Sequence, residues 1–335
     1  MNNFKYILMP VLALSVSLSA CKKEEKQSSG KDSNKISAVV ADNFNLSVFS
    51  TGLNRSGLKA KMQETGPFTV IAPSDDAFLK AGFVNAVAIL SAEPSRISAI
   101  MNYHVLNGTY ELNKLPFLFN QEIRSANGGK LFVTHWVKGP DTVLTINGSK
   151  VLSQNIRASN GLIQVVDQML EPYTHELVTE AIASDRNLSL FYQAIQRSGL
   201  MGVLNAKGSF TVFAPENAAM AAYGLASLAD INAADPAALA ALMRYHIITD
   251  RRFVYDYILS TFIPPSGQNA KSDQTMMDGN SIQVQLIPNA NVPGAFTGIQ
   301  LKGTGNTAFT TLGKQDVLTG NGVLHTIKGM LKITQ

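Results

Sequence analysis

Phe68-Thr69-Val70-Ile71-Ala72-Pro73, followed by Ser74-Asp75 and Ala77-Phe78, returns as Phe210-Thr211-Val212-Phe213-Ala214-Pro215, followed by Glu216-Asn217 and Ala218-Ala219-Met220. The hexapeptide is short and β-prone, and proline ends it because a residue without an N–H cannot extend a ladder. Ser74 and Asp75 are N-cap types that open a helix. Each copy therefore predicts a strand, a proline turn and a capped helix.

Neighbouring segments repeat at the same spacing, 210 minus 68 or 142 residues. Asn45-Leu46-Ser47-Val48-Phe49 returns as Asn187-Leu188-Ser189-Leu190-Phe191, and Arg55-Ser56-Gly57-Leu58 as Arg197-Ser198-Gly199-Leu200. Met101-Asn102-Tyr103-His104-Val105 returns as Met243-Arg244-Tyr245-His246-Ile247. A unit this long is a duplicated domain and not a solenoid repeat. Leu46, Phe49 and Leu53, like Leu188, Phe191 and Ile195, mark one face of an amphipathic helix. Gly57 and Gly199 supply the left-handed residue that ends it, with Leu58 and Leu200 placed for the accompanying apolar contact. Ile97, Ile100 and Met101, like Leu239, Leu242 and Met243, form a second helical stripe leading into Tyr-His.

The units close with Asn160-Gly161-Leu162-Ile163-Gln164-Val165-Val166 and Asn321-Gly322-Val323-Leu324-His325-Thr326-Ile327, each a turn signal before a strand. Asn127-Gly128 aligns with Asp278-Gly279, so the second unit carries extra residues on both sides of that turn. They include Pro264-Pro265-Ser266-Gly267 and Gly303-Thr304-Gly305-Asn306. The polar stretches at about 264–280 and 288–310 are the expected variable recognition loops.

Of 335 residues, 45% are hydrophobic and 16% charged, well below the roughly 25% charged of an ordinary domain, which excludes a disordered chain. The net charge of +4 combines 28 bases with 24 acids; residues 1–35 hold six of those bases and three of the acids. The folded part is thus nearly neutral, and the pI near 9.0 makes no case for nucleic-acid binding.

Residues 1–20 read as a signal peptide: Lys5, an apolar run from Tyr6 to Leu18, then small residues. Leu18-Ser19-Ala20-Cys21 resembles the bacterial lipobox, which makes Cys21 the acylated N-terminus of the mature chain. It is the only cysteine, so no disulfide or thiol nucleophile remains. Multiple acyl chains meet the requirement for stable anchoring. Lys22 in place of Asp after the cysteine favours the outer membrane. Lys23-Glu24-Glu25 resembles the surface-export signal of some Bacteroidetes lipoproteins, with a solvated linker as the alternative. Residues 21–34 are polar and form a flexible tether. The domains are then 35–173 and 174–335.

The Phe-Thr-Val-x-Ala-Pro run, the Tyr-His pair and the closing Asn-Gly strand, in this order in both halves, resemble the fasciclin (FAS1) domain family. The resemblance covers about residues 35–335. It implies an α/β (α+β) fold of two tandem FAS1 domains, each a β-sandwich or wedge with packed helices. It also implies adhesion without enzyme chemistry. Some animal members contact a receptor through an Asp-Ile pair before the closing Asn-Gly. Asp316-Val317 holds that place in the second copy and Asn155-Ile156 in the first, making Asp316 and Val317 candidate contacts. Met220 replaces the usual Phe, a volume-tolerant change.

Tyr103-His104 and Tyr245-His246 are candidate ligand contacts; the alternative, which their recurrence at the same place in both units favours, is a histidine buried at a helix end with its nitrogens satisfied. Trp136, in the strand-like stretch 131–137, is expected to anchor the core, with an exposed aromatic contact for sugar or protein as the alternative. His175-Glu176 lacks the second histidine of a zinc-protease helix, and no other histidine pair has metal-ligand spacing. No G-x-S-x-G elbow or Walker motif is present, and Gly303–Ala308 imitates a dinucleotide fingerprint without a βαβ context. No cofactor or metal is expected. The expected product is an outer-membrane, cell-surface lipoprotein that binds an extracellular protein or polysaccharide and meets the membrane through its lipid only. The alternative is an accessory subunit of a glycan-uptake system.

Overall fold

Residues 34–265 and 269–334 are described by the computed structural model. The signal peptide, Cys21 and the tether through Ser33 lie outside the described residues, as do Ser266 and Gly267 of the proline-rich stretch.

In the first repeat the strands are β1 (Phe68–Pro73), β2 (Val105–Asn107), β3 (Gln121–Arg124), β4 (Lys130–Lys138), β5 (Asp141–Ile146), β6 (Ser149–Ala158) and β7 (Gly161–Val166). They form one sheet in the order β2-β1-β7-β6-β5-β4-β3. β1 lies parallel to β7, Phe68 opposite Gly161 through Pro73 opposite Val166, and antiparallel to β2. Every residue of β1 is buried, as expected of a parallel strand covered on both faces. Register breaks in β6 at Val151/Ser153 and Ser153/Ile156 bend the sheet at the seam between its two halves. One core joins the helices to β1 and β7 through Phe49, Leu53, Phe78, Ile97 and Met101. A second lies within the bent sheet around Leu131, Val133, Leu144 and Ile146.

The second repeat has the equivalent strands β8 (Phe210–Pro215), β9 (Ile247–Ile248), β10 (Lys271–Thr275), β11 (Ser281–Pro288), β12 (Phe296–Gly303), β13 (Thr310–Thr311), β14 (Val317–Thr319) and β15 (Gly322–Ile327). The long strand β6 has become two short ones here. β13 pairs with β12 and β14 with β15, so the repeat carries two four-stranded sheets. β8 runs parallel to β15 in the register seen for β1 and β7.

The helical stripes are as expected. Leu46, Phe49, Leu53, Leu188, Phe191 and Ile195 are all buried, and Gly57 and Gly199 have φ of +77° and +72°. Ser74 caps its helix by accepting from the Ala77 N–H at 3.2 Å. Glu216 at the matching position does not cap. Its carboxylate instead accepts from Thr326 Oγ1 and Lys328 Nζ.

Asn160 and Asn321 do more than turn the chain. Asn160 accepts from Ile36 N and donates to Met62 O and Glu64 O, while its own carbonyl receives Phe68 N. Asn321 does the same with Val178 N, Leu204 O and Phe210 N. Each asparagine ties together the helix that opens its repeat, the end of the helical segment before the repeat's first strand, and that strand.

The extra residues of the second repeat are only partly loops. Where the first repeat has a single 3-10 turn (Leu112–Lys114), the second has a seven-residue helix, Val254–Ser260. The stretches 264–280 and 288–310 contain β10 and the whole of β12, whose Ile299 and Leu301 are buried. The expectation that both stretches are loops is corrected: alternating side chains carry them into the sheet core.

Candidate binding surfaces

Tyr103, His104, Tyr245 and His246 are fully buried, so the structure corrects their candidacy as ligand contacts and agrees with the favoured alternative of histidines buried at helix ends. Nδ1 of His104 donates to Ile100 O and its Nε2 accepts from Leu170 N. His246 repeats the pattern with Leu242 O and Leu331 N. Burial pushes both imidazoles down to about 4, which keeps them neutral. Tyr103 donates from its hydroxyl to Lys130 O, and Tyr245 from its hydroxyl to Ser281 O at 2.9 Å. The pair pins the helix end to the closing segment and to the sheet. This is packing with satisfied polar atoms.

Asp316 is also turned inward. Its backbone is left-handed (φ +58°), its carboxylate accepts from Val254 N at 2.8 Å, and its N–H donates to His325 Nδ1 at 3.1 Å. The side chain keeps 16% exposure, and burial, helped by Asp256, pushes its acid up to about 7. Val317 packs against the helical core. Asp316 and Val317 do border a cleft of about 360 Å³ against the 168–175 linker, but the carboxylate is already engaged. The first repeat uses the same device: Asn155 (φ +51°) donates from its N–H to Gln164 Oε1 at 3.0 Å. Asn155 and Gln164 thus stand where Asp316 and His325 stand.

The two repeats meet through residues that neither motif contains. Arg251 is 3% exposed, its guanidinium 3.7 Å from the Phe132 ring centroid, and it donates to Thr319 O, Gly320 O and Gly322 O. Asp256, fully buried, accepts from Phe253 N, Asn120 Nδ2 and Thr134 Oγ1, each at 2.9 Å. Phe132 of β4 packs with Phe253 and Val323 of the second repeat. At Gly148 an added Cβ would come within 2.9 Å of the Phe253 Cβ, so only glycine admits that ring. One face of β4 is therefore the socket for the second repeat. The one legible signal was the carboxylate of Asp256, three residues after Phe253, at the capping spacing.

Trp136 is half-buried beside this contact, its ring 4.4 Å from that of Phe119, and not a core anchor as expected. Its alternation on β4 places it with Phe132 and Thr134 on the socket face. Among the described residues no group of histidines, cysteines and acids could hold a metal, and no helix is long and apolar enough to cross a membrane. The Gly303–Ala308 segment leads from β12 to β13, with no helix behind it to hold a pyrophosphate.

A Fasciclin domain model matches residues 44–172 and 186–333. Periostin of Homo sapiens is 26% identical over 288 residues, covering 82% of this chain and 29% of that protein. Transforming growth factor-beta-induced protein ig-h3 of Oryctolagus cuniculus is 23% identical over 274 residues, 82% of this chain and 36% of its own. Protein sll1483 of Synechocystis sp. is 33% identical over 136 residues, 40% of this chain and 71% of its own. A solved FAS1 domain pair from the insect cell adhesion molecule Fasciclin I covers 85% of this chain and 95% of its own, at 18% identity and a TM-score of 0.39. The chain spans about a third of the length of periostin and of ig-h3.

Proposed function

The chain belongs to the fasciclin family, with two copies of its domain, and from that premise we propose that it is a cell-surface adhesion protein acting through noncovalent contacts. Membership in a family of non-enzymatic modules makes it a binding protein and not an enzyme. The observation that carries the adhesive reading is the domain pair, two copies joined by a buried interface through Arg251, Asp256 and Phe132. Such a body presents its surfaces in a fixed relation, so a partner able to touch both repeats gains avidity without ordering a linker.

The anchor is Cys21, in the proposal, after removal of residues 1–20, with acyl chains in the outer membrane and residues 21–34 as spacer. The partner is an extracellular protein or polysaccharide. Full chain displayed on cells is expected to promote attachment to immobilised matrix or glycan, and Cys21→Ser is expected to move the protein from the membrane to the soluble fraction. Loss of neither attachment nor membrane association in the variant, or no attachment in the parent, would contradict the proposal.

A further inference from the structure

The face of β4 that receives the second repeat has a counterpart in the second repeat, and among the described residues no element of the first repeat packs on it; only Phe309 lies along it. Asn127-Gly128 and Asp278-Gly279 hold matching turns, with Gly128 and Gly279 at φ of +86° and +89°. Counting outward from them, Phe132 and Thr134 correspond to Gln283 and Gln285, and Asn120 corresponds to Lys271. The pairing agrees. Gln285 of β11 lies opposite Lys271 of β10 on one side and Gln300 of β12 on the other, with Gln283 opposite Lys302. In the first repeat, Asn120 and Thr134 grip the carboxylate of Asp256. The equivalent positions in the second repeat are again hydrogen-bond donors, with an ammonium in place of an amide.

This face continues into a cleft of about 490 Å³, within the range of small-ligand sites. Phe309 lines the cleft, with Lys271 Nζ 5.3 Å and Lys302 Nζ 5.8 Å from its ring centroid. Lys332 Nζ lies 5.7 Å from the ring of Tyr223 on the other wall. None of these three lysines pairs with a carboxylate among the described residues, although Asp273 shares the sheet face with Lys271 and Lys302. The wall is built. Asn306 accepts from Gly303 N and Lys332 N and donates to Met330 O, and Thr304 N donates to the Tyr245 hydroxyl.

We propose that the uncovered β10–β11–β12 face and its adjoining cleft bind a polysaccharide bearing carboxylates, such as a uronic-acid polymer. This rests on the adhesive reading and gives it a ligand class. Carboxylates meet the three unpaired ammoniums, the amides of Gln283, Gln285 and Gln300 meet hydroxyls, and Phe309 and Tyr223 offer apolar faces to sugar rings. A protein helix is disfavoured here because Gln283 replaces Phe132, the aromatic wall of the socket in the first repeat.

The test titrates the full chain with trigalacturonate, its methyl ester, maltotriose and polyglutamate, by calorimetry at two salt concentrations. Trigalacturonate is expected to bind, more weakly at high salt, and the ester and maltotriose to lose that binding. Lys271→Gln and Lys302→Gln are each expected to weaken it about three- to fivefold, and Lys150→Gln to leave it unchanged. Thermal unfolding of each variant checks that the fold is intact. Equal binding of the ester, equal binding of polyglutamate, or indifference to both lysine variants would overturn the proposal. Cell attachment that persists in a chain blind to trigalacturonate overturns this site alone; absence of any attachment overturns the adhesive reading as well.

Discussion

Thr134, in β4 of the first repeat, donates its hydroxyl hydrogen to Asp256 Oδ1, in the inserted helix of the second, at 2.9 Å with both groups buried. The hydroxyl also accepts from Asn120 N at 3.1 Å, so one threonine links the turn into β3 to a carboxylate of the other repeat. Burial raises the Asp256 acid, and three donors oppose that rise. A buried acceptor with this many partners is costly to lose and hard to replace.

Asp256→Ala, which orphans Asn120 and Thr134, is therefore expected to cost about 2–4 kcal/mol, and Asp256→Asn, which keeps an acceptor, about 1 kcal/mol. Urea unfolding of the full chain, followed by the fluorescence of Trp136 beside the interface, measures both. Equal costs for the two variants would show that the interface does not depend on the acceptor.

Arg251 tests the same contact from the cationic side. Arg251→Lys keeps the charge but loses the flat contact with Phe132 and the fork onto three carbonyls, and is expected to cost about 1–3 kcal/mol. The measurement is the unfolding midpoint of the variant, with far-UV circular dichroism to confirm that both repeats remain folded.

The buried histidines make the protein acid-sensitive. His104, His246 and His325 are each pushed down to about 4 by burial, against an unfolded value near 6.5. Between those values the unfolded chain binds protons that the folded chain does not, so stability falls as pH drops from about 6.5 to about 4, by about 3 kcal/mol per histidine. Asp316, pushed up to about 7, acts in the opposite sense: the folded chain holds its proton from about pH 4 to 7, and its contribution declines as pH rises. Asp316→Asn is thus expected to steepen the rise of stability between pH 4 and 6.5. A flatter profile in that variant, measured by denaturant unfolding across the range, would contradict the assignment.

Asn160→Ala and Asn321→Ala each remove one acceptor and one amide from three or more chain segments, and about 2–3 kcal/mol is expected for each. Hydrogen exchange at Ile36 and Val178, whose N–H groups these side chains hold, is expected to accelerate in the respective variant. Unchanged exchange would mean that the helices keep their ends without the asparagine.

Much of the fold was legible because its signals are local. The helical stripes through Phe49 and Phe191, the glycines that end those helices and the β-runs at Phe68 and Phe210 each depend on residues within one or two turns of chain. The site was less legible. Tyr-His allowed a surface contact or a histidine buried at a helix end, and its recurrence in both copies favoured burial, which the structure shows; sequence spacing carries no record of the closing segment and the sheet that cover it. Glu216 stands at a capping position but turns to Lys328, a partner 112 residues away. The inserted segments looked like free loops because polar residues alternate there; half of each strand's side chains face solvent while the other half fill the core.

By itself the sequence determined that a domain occurs twice, with the same order of strands and helices, because a duplication preserves short-range pattern. Only the tertiary structure decided that Asn120 and Thr134 close on Asp256 while Lys271 and Gln285 stay open. That choice depends on which distant elements meet: the helix that carries Asp256 packs on β4, and no described element packs on the matching face of β11.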